Sequence, residues 1–319
     1  MKHLLSIEQL SREEIEAILD RAESFAEVGR RDIKKVPTLR GRTVVSLFYE
    51  SSTRTSSSFE LAAKRLSADL VSVKAAGSSV EKGESLKDTV ATLSAYDPAA
   101  IVIRHPYAGA AQMVAGWTAA AVVNAGDGKH EHPSQALLDV FTLRRRLGSL
   151  EGIRIWIVGD VLHSRVARSN LIAFQRMGAE VTVCGPPTLI PRGIEELGCA
   201  VSYSLDGSEE AEVIYALRMQ KERMSESLVP SLREYAASFQ IDSRRLNPRQ
   251  LLMHPGPVNR GVELSGEVID SPQSLIVEQV AAGLVVRMAI LYELLAGGEA
   301  PVSAGEGEGS RPTPIGTSA

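Results

Sequence analysis

This chain has little sulfur and few aromatic rings. Its 319 residues include two cysteines and two tryptophans, and aromatics make up 5% of the total. Cys184 and Cys199 indicate neither a disulfide framework nor a zinc site, and Cys184 closes an apparent strand, Val181–Cys184, so both thiols are expected to be buried. No apolar run approaches the ~20 residues of a membrane-spanning helix, so no membrane partner is expected. The opening Met1-Lys2-His3-Leu4-Leu5-Ser6 lacks the apolar core of a signal peptide, and a cytoplasmic location is the expectation. Excess positive charge is missing too. A net charge of −4 offers no general attraction to nucleic acid. What remains is 44% hydrophobic and 23% charged, enough for a substantial core and, at this length, two domains.

The pattern reads as two α/β halves. Strand-like runs at Val44–Phe48, Leu70–Val73, Ile101–Ile103 and Val122–Asn124 alternate with helical segments near 56–66, 85–95 and 108–120. The second half repeats the alternation with runs at Arg154–Val158, Glu180–Val183, Val201–Tyr203, Val213–Ala216 and Leu251–Met253. Such alternation predicts an α/β fold of two doubly wound parallel-sheet domains linked by interdomain helices. The join is expected on a helix opened by His132 and Pro133, where proline suits the first helical position and Leu137, Leu138 and Phe141 mark a buried face. Ligands in open α/β sheets bind at the carboxyl ends of the strands. Glu50–Thr55, Arg104-His105 and Gly159–Arg165 all fall there, which predicts a site between the domains.

Ser52-Thr53-Arg54-Thr55 joins the first strand to a helix whose apolar positions are Phe59, Ala62, Ala63 and Leu66. Three hydroxyls and a guanidinium at a helix N-terminus suit a phosphate, because the first N–H groups there have no internal partner and sit at the positive end of the dipole. The plainer reading is a Ser/Thr-rich turn that caps a helix. Further anion-binding pieces follow in order: Lys82-Gly83-Glu84, Arg104-His105-Pro106, His132-Pro133-Ser134-Gln135, Arg218-Met219-Gln220-Lys221-Glu222-Arg223 and His254-Pro255-Gly256-Pro257.

With the first motif, these resemble the aspartate/ornithine transcarbamoylases over nearly everything from His3 to about Leu295, and the last three point to the aspartate branch. The resemblance implies transfer of the carbamoyl group of carbamoyl phosphate to L-aspartate, early in pyrimidine biosynthesis, with no cofactor and no metal. It implies a carbamoyl-phosphate-binding domain over 1–132 plus a C-terminal helix at about 280–296, an aspartate-binding domain over 133–279, and a tail over 297–319 that lacks any apolar period and is expected to be disordered. It also implies that Ser52, Thr53, Arg54, Thr55 and Arg104 hold the phosphate, and that Thr55, Arg104 and His132 surround the carbonyl oxygen. Gln135 and the carbonyls beside Pro255 and Gly256 would hold the carbamoyl amide. Ser78 and Lys82 would reach in from a neighbouring subunit, making a homotrimer with shared sites; on residue types alone, Ser78–Gly83 is an exposed polar loop. Regulatory or dihydroorotase chains are further partners that the family allows.

Arg165, Arg218 and Gln220 are read as the second substrate's site. Two guanidiniums in one domain match a dicarboxylate, each planar fork pairing with one carboxylate. Arg218 would repel the ammonium of ornithine, and the ornithine branch has Cys where this chain has Ser134 and Pro255. The plain alternatives are a surface pair for Arg165 and a solvated loop residue in Arg218. A sibling transcarbamoylase and an inactive scaffold are the competing functions.

Other features are set aside. His130-Glu131-His132 lacks the helical spacing of a zinc pair. Gly159–Arg165 lacks the second and third glycines of a dinucleotide loop. Arg144-Arg145-Arg146 reads as a complement to a helix dipole. Two departures from the family stand out: Ser56 where another Arg is common, and Gly256 where the best-known members have Leu.

Overall fold

The structure is a computed structural model that describes residues 1–74, 83–220 and 228–296. The chain opens with α1 (Arg12–Val28), whose Ser11 and Glu14 form a reciprocal capping box and whose Ile15, Ile18, Leu19, Ala22 and Phe25 make one buried face. Then β1 (Thr43–Phe48), α2 (Thr53–Arg65), β2 (Asp69–Lys74), α3 (Leu86–Ser94), β3 (Ala100–His105), α4 (Ala110–Trp117) and β4 (Ala121–Asp127) build a four-stranded sheet. Its order is β2-β1-β3-β4 and every pair is parallel.

After α5 (Pro133–Leu147), the strands β5 (Arg154–Val158), β6 (Glu180–Cys184), β7 (Ala200–Ser202), β8 (Val213–Ala216) and β9 (Leu251–Met253) form a five-stranded sheet with the order β7-β6-β5-β8-β9, again all parallel. Helices α6 (Arg165–Arg176), α7 (Leu232–Phe239), α8 (Gly266–Ile269) and α9 (Ile276–Leu295) complete the described chain. Strands such as Thr43–Phe48 are mostly apolar and buried from Val44 on, Ser46 included, because parallel sheets are covered on both faces. All nine expected strands occur. Three helix boundaries differ: α2 begins at Thr53 because Ser52 already caps it, α4 is cut to Ala110–Trp117 by Gly109 at φ 81° and the extended Thr118, and α9 starts at Ile276.

Both sheets reverse their winding in the middle, between β1 and β3 and between β5 and β8. These are the switch points where open α/β sheets leave a crevice at their carboxyl ends. A register shift between Ile103 and His105 in the β3–β4 pairing falls at Arg104, re-aiming the strand end beside the crevice.

Helix α5 ties the halves together. Every residue from Pro133 to Leu143 is buried, so α5 is surrounded rather than laid on a surface. Helix α9 packs on α1, α2 and α5, and one apolar core runs from Leu4 and Phe59 through Leu137 and Phe141 to Ile155 and Tyr215. Both cysteines are buried and free, and burial lifts the Cys184 thiol to about 12, which makes it inert. Among the described residues, no helix is long and apolar enough to cross a membrane. The tail from 297 lies outside the described residues.

Removing the α1 cap by Ser11→Ala should destabilise the fold by about 1 kcal/mol. Denaturant unfolding checks this: the midpoint falls while the slope stays constant.

Candidate active site

The crevice at the two switch points is a cavity of about 890 Å³. Helix α2 opens into it. Ser52, extended at φ −157°, caps the helix by accepting from the Thr55 backbone N–H at 3.4 Å, and the first turn carries no acidic residue. The capping reading of this motif is therefore correct as far as it goes, and the same turn also lines the cavity with Ser52, Thr53, Arg54 and Thr55.

Charge is gathered here against the chain's acidic balance. Among the described residues, the lining includes five arginines, at 54, 104, 165, 218 and 287, and one carboxylate, Glu50. Glu50 Oε2 lies 2.5 Å from an Arg165 terminal nitrogen and 3.4 Å from Arg104 Nε, so it joins the first sheet to α6 of the second. Arg165 is 4% exposed, which disposes of the surface-pair alternative. Arg104 also donates to the Ala125 carbonyl at 3.3 Å. Gly126, at φ 115°, makes room for both cations: a Cβ there would lie 3.0 Å from Arg165 Nε and 3.3 Å from an Arg104 terminal nitrogen. Burial first, and then the nearby Arg218, lowers the pKa of Arg54, placing these two guanidiniums within electrostatic reach of each other across the crevice.

His132 caps α5 just before Pro133, and its backbone N–H donates to Ser169 Oγ at 2.8 Å. Burial, then Arg104, Arg165 and Arg287, push its pKa well below the usual histidine value, so the imidazole is neutral near pH 7. Ser134 Oγ lies 3.5 Å from Nδ1, and the neutral ring has one N–H to donate. Gln135 follows on the same helix end and donates from Nε2 to Asp139 at 3.0 Å.

The second sheet supplies the rest. Asp160, after β5, accepts from the Gln220 backbone N–H at 3.2 Å and pairs with His163 at 2.8 Å, fixing the turn that carries Arg218 and Gln220. After β9, His254 Nδ1 accepts from the Gly256 N–H at 2.8 Å, and its other nitrogen lies 3.3 Å from the buried Glu263. Gly256 sits at φ 66°, a left-handed conformation that suits glycine, and Arg54 Cζ is only 3.0 Å from where a Cβ would stand. Ser56, the other departure, turns its hydroxyl to Glu60 at 3.1 Å.

All candidate residues within the described chain line this one cavity, including Pro255. Ser78 and Lys82 lie outside the described residues, as does Lys221-Glu222-Arg223. The motif reading passed over Arg287. This arginine interrupts the apolar run Val285-Val286-Arg287-Met288-Ala289, is 4% exposed, donates to Ser58 Oγ at 2.7 Å and lies over the Phe59 ring. A lone cation in an apolar helix was the available signal. The His130-Glu131-His132 run is spent on other tasks: His130 pairs with Asp127 at 3.1 Å, and Glu131 accepts from the Ile7 N–H at 2.6 Å.

Two family models match, one per sheet: the carbamoyl-P binding domain of aspartate/ornithine carbamoyltransferase over residues 2–145, and the Asp/Orn binding domain over residues 151–294. The chain belongs to the aspartate/ornithine carbamoyltransferase family. Within it, the chain is 56% identical to the aspartate carbamoyltransferase catalytic subunit of Acidothermus cellulolyticus, an alignment covering 96% of this chain and 95% of the relative. It is also 56% identical to the catalytic subunit of Pelotomaculum thermopropionicum, over 93% and 97% of the two chains. The fold is similar to the crystal structure of aspartate transcarbamoylase from Trypanosoma cruzi in complex with carbamoyl phosphate and aspartate, with a TM-score of 0.84 at 33% identity over 92% of this chain and 97% of that one. It is likewise similar to the catalytic subunit of M. Jannaschii aspartate transcarbamoylase, with a TM-score of 0.81 at 36% identity over 92% and 98%.

Gly126→Ala tests the cation pair. A methyl group should push the Arg104 and Arg165 side chains aside, lowering kcat/KM by roughly a hundredfold, since displacing catalytic groups by about 1 Å has that scale of effect. Steady-state kinetics with both substrates would check it; unchanged rates would mean that the two guanidiniums do not need this placement.

Proposed function

We propose that this chain is an aspartate carbamoyltransferase, transferring the carbamoyl group of carbamoyl phosphate to the amine of L-aspartate to give N-carbamoyl-L-aspartate and phosphate. The observation that carries the reading is the meeting, in one cavity, of the α2 N-terminus with Arg165 and Arg218 from the other sheet. The first set fits a phosphate and the second a dicarboxylate.

In this reading the phosphate sits on Ser52, Thr53, Arg54 and Thr55, with Arg104 beside it. The aspartate carboxylates face Arg165, Arg218 and Gln220. The unprotonated amine attacks the carbonyl carbon, and the oxyanion that forms is met by the Thr55 hydroxyl, Arg104 and the N–H of neutral His132. Preorganised donors of this kind are each worth roughly a hundredfold to a thousandfold in rate. As the tetrahedral intermediate collapses, the bond from carbon to the phosphate oxygen breaks and the amine proton leaves with phosphate. Glu50 is ill placed to take that proton, being already held by Arg104 and Arg165. Gln135, Pro255 and Gly256 bound the carbamoyl amide.

The division of the chain follows from these roles, with the carbamoyl-phosphate half ending at His132 and regaining the C-terminal helix, and the aspartate half spanning 133–279. Ser78 and Lys82 complete the site from a neighbouring subunit of a cytoplasmic homotrimer. The close similarity to catalytic subunits, together with the family motifs around both residues, supports this arrangement.

Assay of ureido product with carbamoyl phosphate and either L-aspartate or L-ornithine, in the presence of chelator, tests the reaction. Turnover is expected with aspartate alone. Arg218→Ala should raise the KM for aspartate by roughly a hundredfold, the scale of a lost hydrogen-bonded charge pair. An unchanged aspartate dependence would remove the dicarboxylate assignment.

A further inference from the structure

Asp139 is a fully buried carboxylate in which several elements converge. Its Oδ1 accepts from Gln135 Nε2 on α5 at 3.0 Å and from Gln279 Nε2 on α9 at 2.7 Å. Its Oδ2 accepts from Asn170 Nδ2 on α6 at 2.9 Å and from the Tyr215 hydroxyl on β8 at 2.7 Å. No atom of Asp139 reaches the cavity lining, yet two of its four donors, Gln135 and Gln279, belong to that lining.

An ionised carboxylate offers only acceptors, so every amide that faces it must turn its NH2 inward. The other end of each amide is thereby determined. Gln279 directs its oxygen to the His254 backbone N–H at 3.0 Å, at the start of the turn that carries Pro255 and Gly256. Gln135 has the same inward NH2, and the atom left for the cavity is its oxygen.

We propose that Asp139 is a positioning residue that locks the Gln135 amide with its oxygen toward the cavity, so that the site selects an acyl phosphate whose acyl group carries a hydrogen-bond donor. The proposal rests on the reading of Gln135 given above. A carbamoyl NH2 satisfies that oxygen. An acetyl methyl in its place leaves a buried acceptor unpaired, and such mismatches are rejected strongly.

Asp139→Asn has one acceptor oxygen where two stood, so it can serve the two glutamines or Asn170 with Tyr215, but not both pairs. Acetyl phosphate, with a methyl where the carbamoyl group has NH2, is the probe. For Asp139→Asn, kcat/KM for carbamoyl phosphate should fall about tenfold, the scale of one hydrogen bond, while inhibition by acetyl phosphate stays within about twofold of wild type. In a Gln135→Ala background the same substitution should cost clearly less than in the wild type, what remains being the path through Gln279 and the Pro255-Gly256 turn. Equal weakening of both phosphates, or the same loss in the Gln135→Ala background, overturns the proposal and leaves the role of Gln135 standing. A fully active Gln135→Ala enzyme overturns both.

If Asp139→Asn does not fold, protonation of the wild-type carboxyl substitutes for it. Burial lifts this carboxyl to about 6 against its four hydrogen bonds. The ionisable groups facing it are Tyr215 from β8, pushed further up by the same burial and so neutral, and the Arg287 cation from α9; Asn170 from α6 and Gln135 from α5 do not titrate. A proton on Asp139 adds a donor and forces one of its partners to turn. The wild type should then lose kcat/KM for carbamoyl phosphate as pH falls through about 6, and Gln135→Ala should lack that limb. An identical limb in both overturns the proposal.

Discussion

Everything in this fold serves the confinement of like charge. Among the described residues, five guanidiniums share a cavity with one carboxylate, in a chain whose overall balance is negative. Buried cations lose hydration and repel one another: burial, then Arg218, lowers the pKa of Arg54, and burial lowers Arg287 to about 10 against the pull of Asp139. Glu50 offsets part of this by contacting two of the five. A phosphate and two carboxylates would add negative charge to this cluster. Affinity for anionic substrates is thus the relief of a tension that the fold maintains by rigid means: two parallel sheets, a surrounded α5, and glycines that let cations approach the backbone.

The same surroundings set the state of His132. Burial first, and then three nearby arginines, keep this histidine unprotonated near neutrality, and so it acts as a neutral donor. That is a more useful state beside a developing oxyanion than a cation that would compete for the phosphate. The cluster around Asp139 shows the converse. There a carboxyl is kept ionisable by four donors although burial opposes it. Helix α5 carries both groups within two turns, one facing the crevice and one facing the core.

The fold was legible because parallel strands covered on both faces leave mostly apolar runs such as Val44–Phe48, and the nine runs identified the nine strands. Helix ends were less legible, since caps such as Ser52 extend a helix beyond its apolar pattern and Gly109 shortens one. Helix α1 went unread because no motif marks it, although its capping box and a buried face every third or fourth residue were there to find it. The site residues were legible where the chemistry requires special types in special places, as at Arg54 or His132. Arg287 was not, because nothing local to α9 tells that Ser58 and Phe59 lie beneath it. Glu50 was hidden for a similar reason: a carboxylate after a strand looks solvated until Arg165 arrives from 115 residues away. Asp139 reads as the polar side of an amphipathic helix, and only the arrival of α6, β8 and α9 makes it a hub.

The position of α9 in the chain has a consequence for biogenesis. This helix is the last described element, yet its partners α1, α2 and α5 all belong to the first half of the sequence. During synthesis the amino-terminal sheet leaves the ribosome long before its covering helix, with the apolar face of α2 still bare and Ser58 lacking its arginine. The phosphate cradle is therefore among the first parts translated and among the last completed, and a chain stopped short of Ile276 has the cradle residues without the helix that packs behind them.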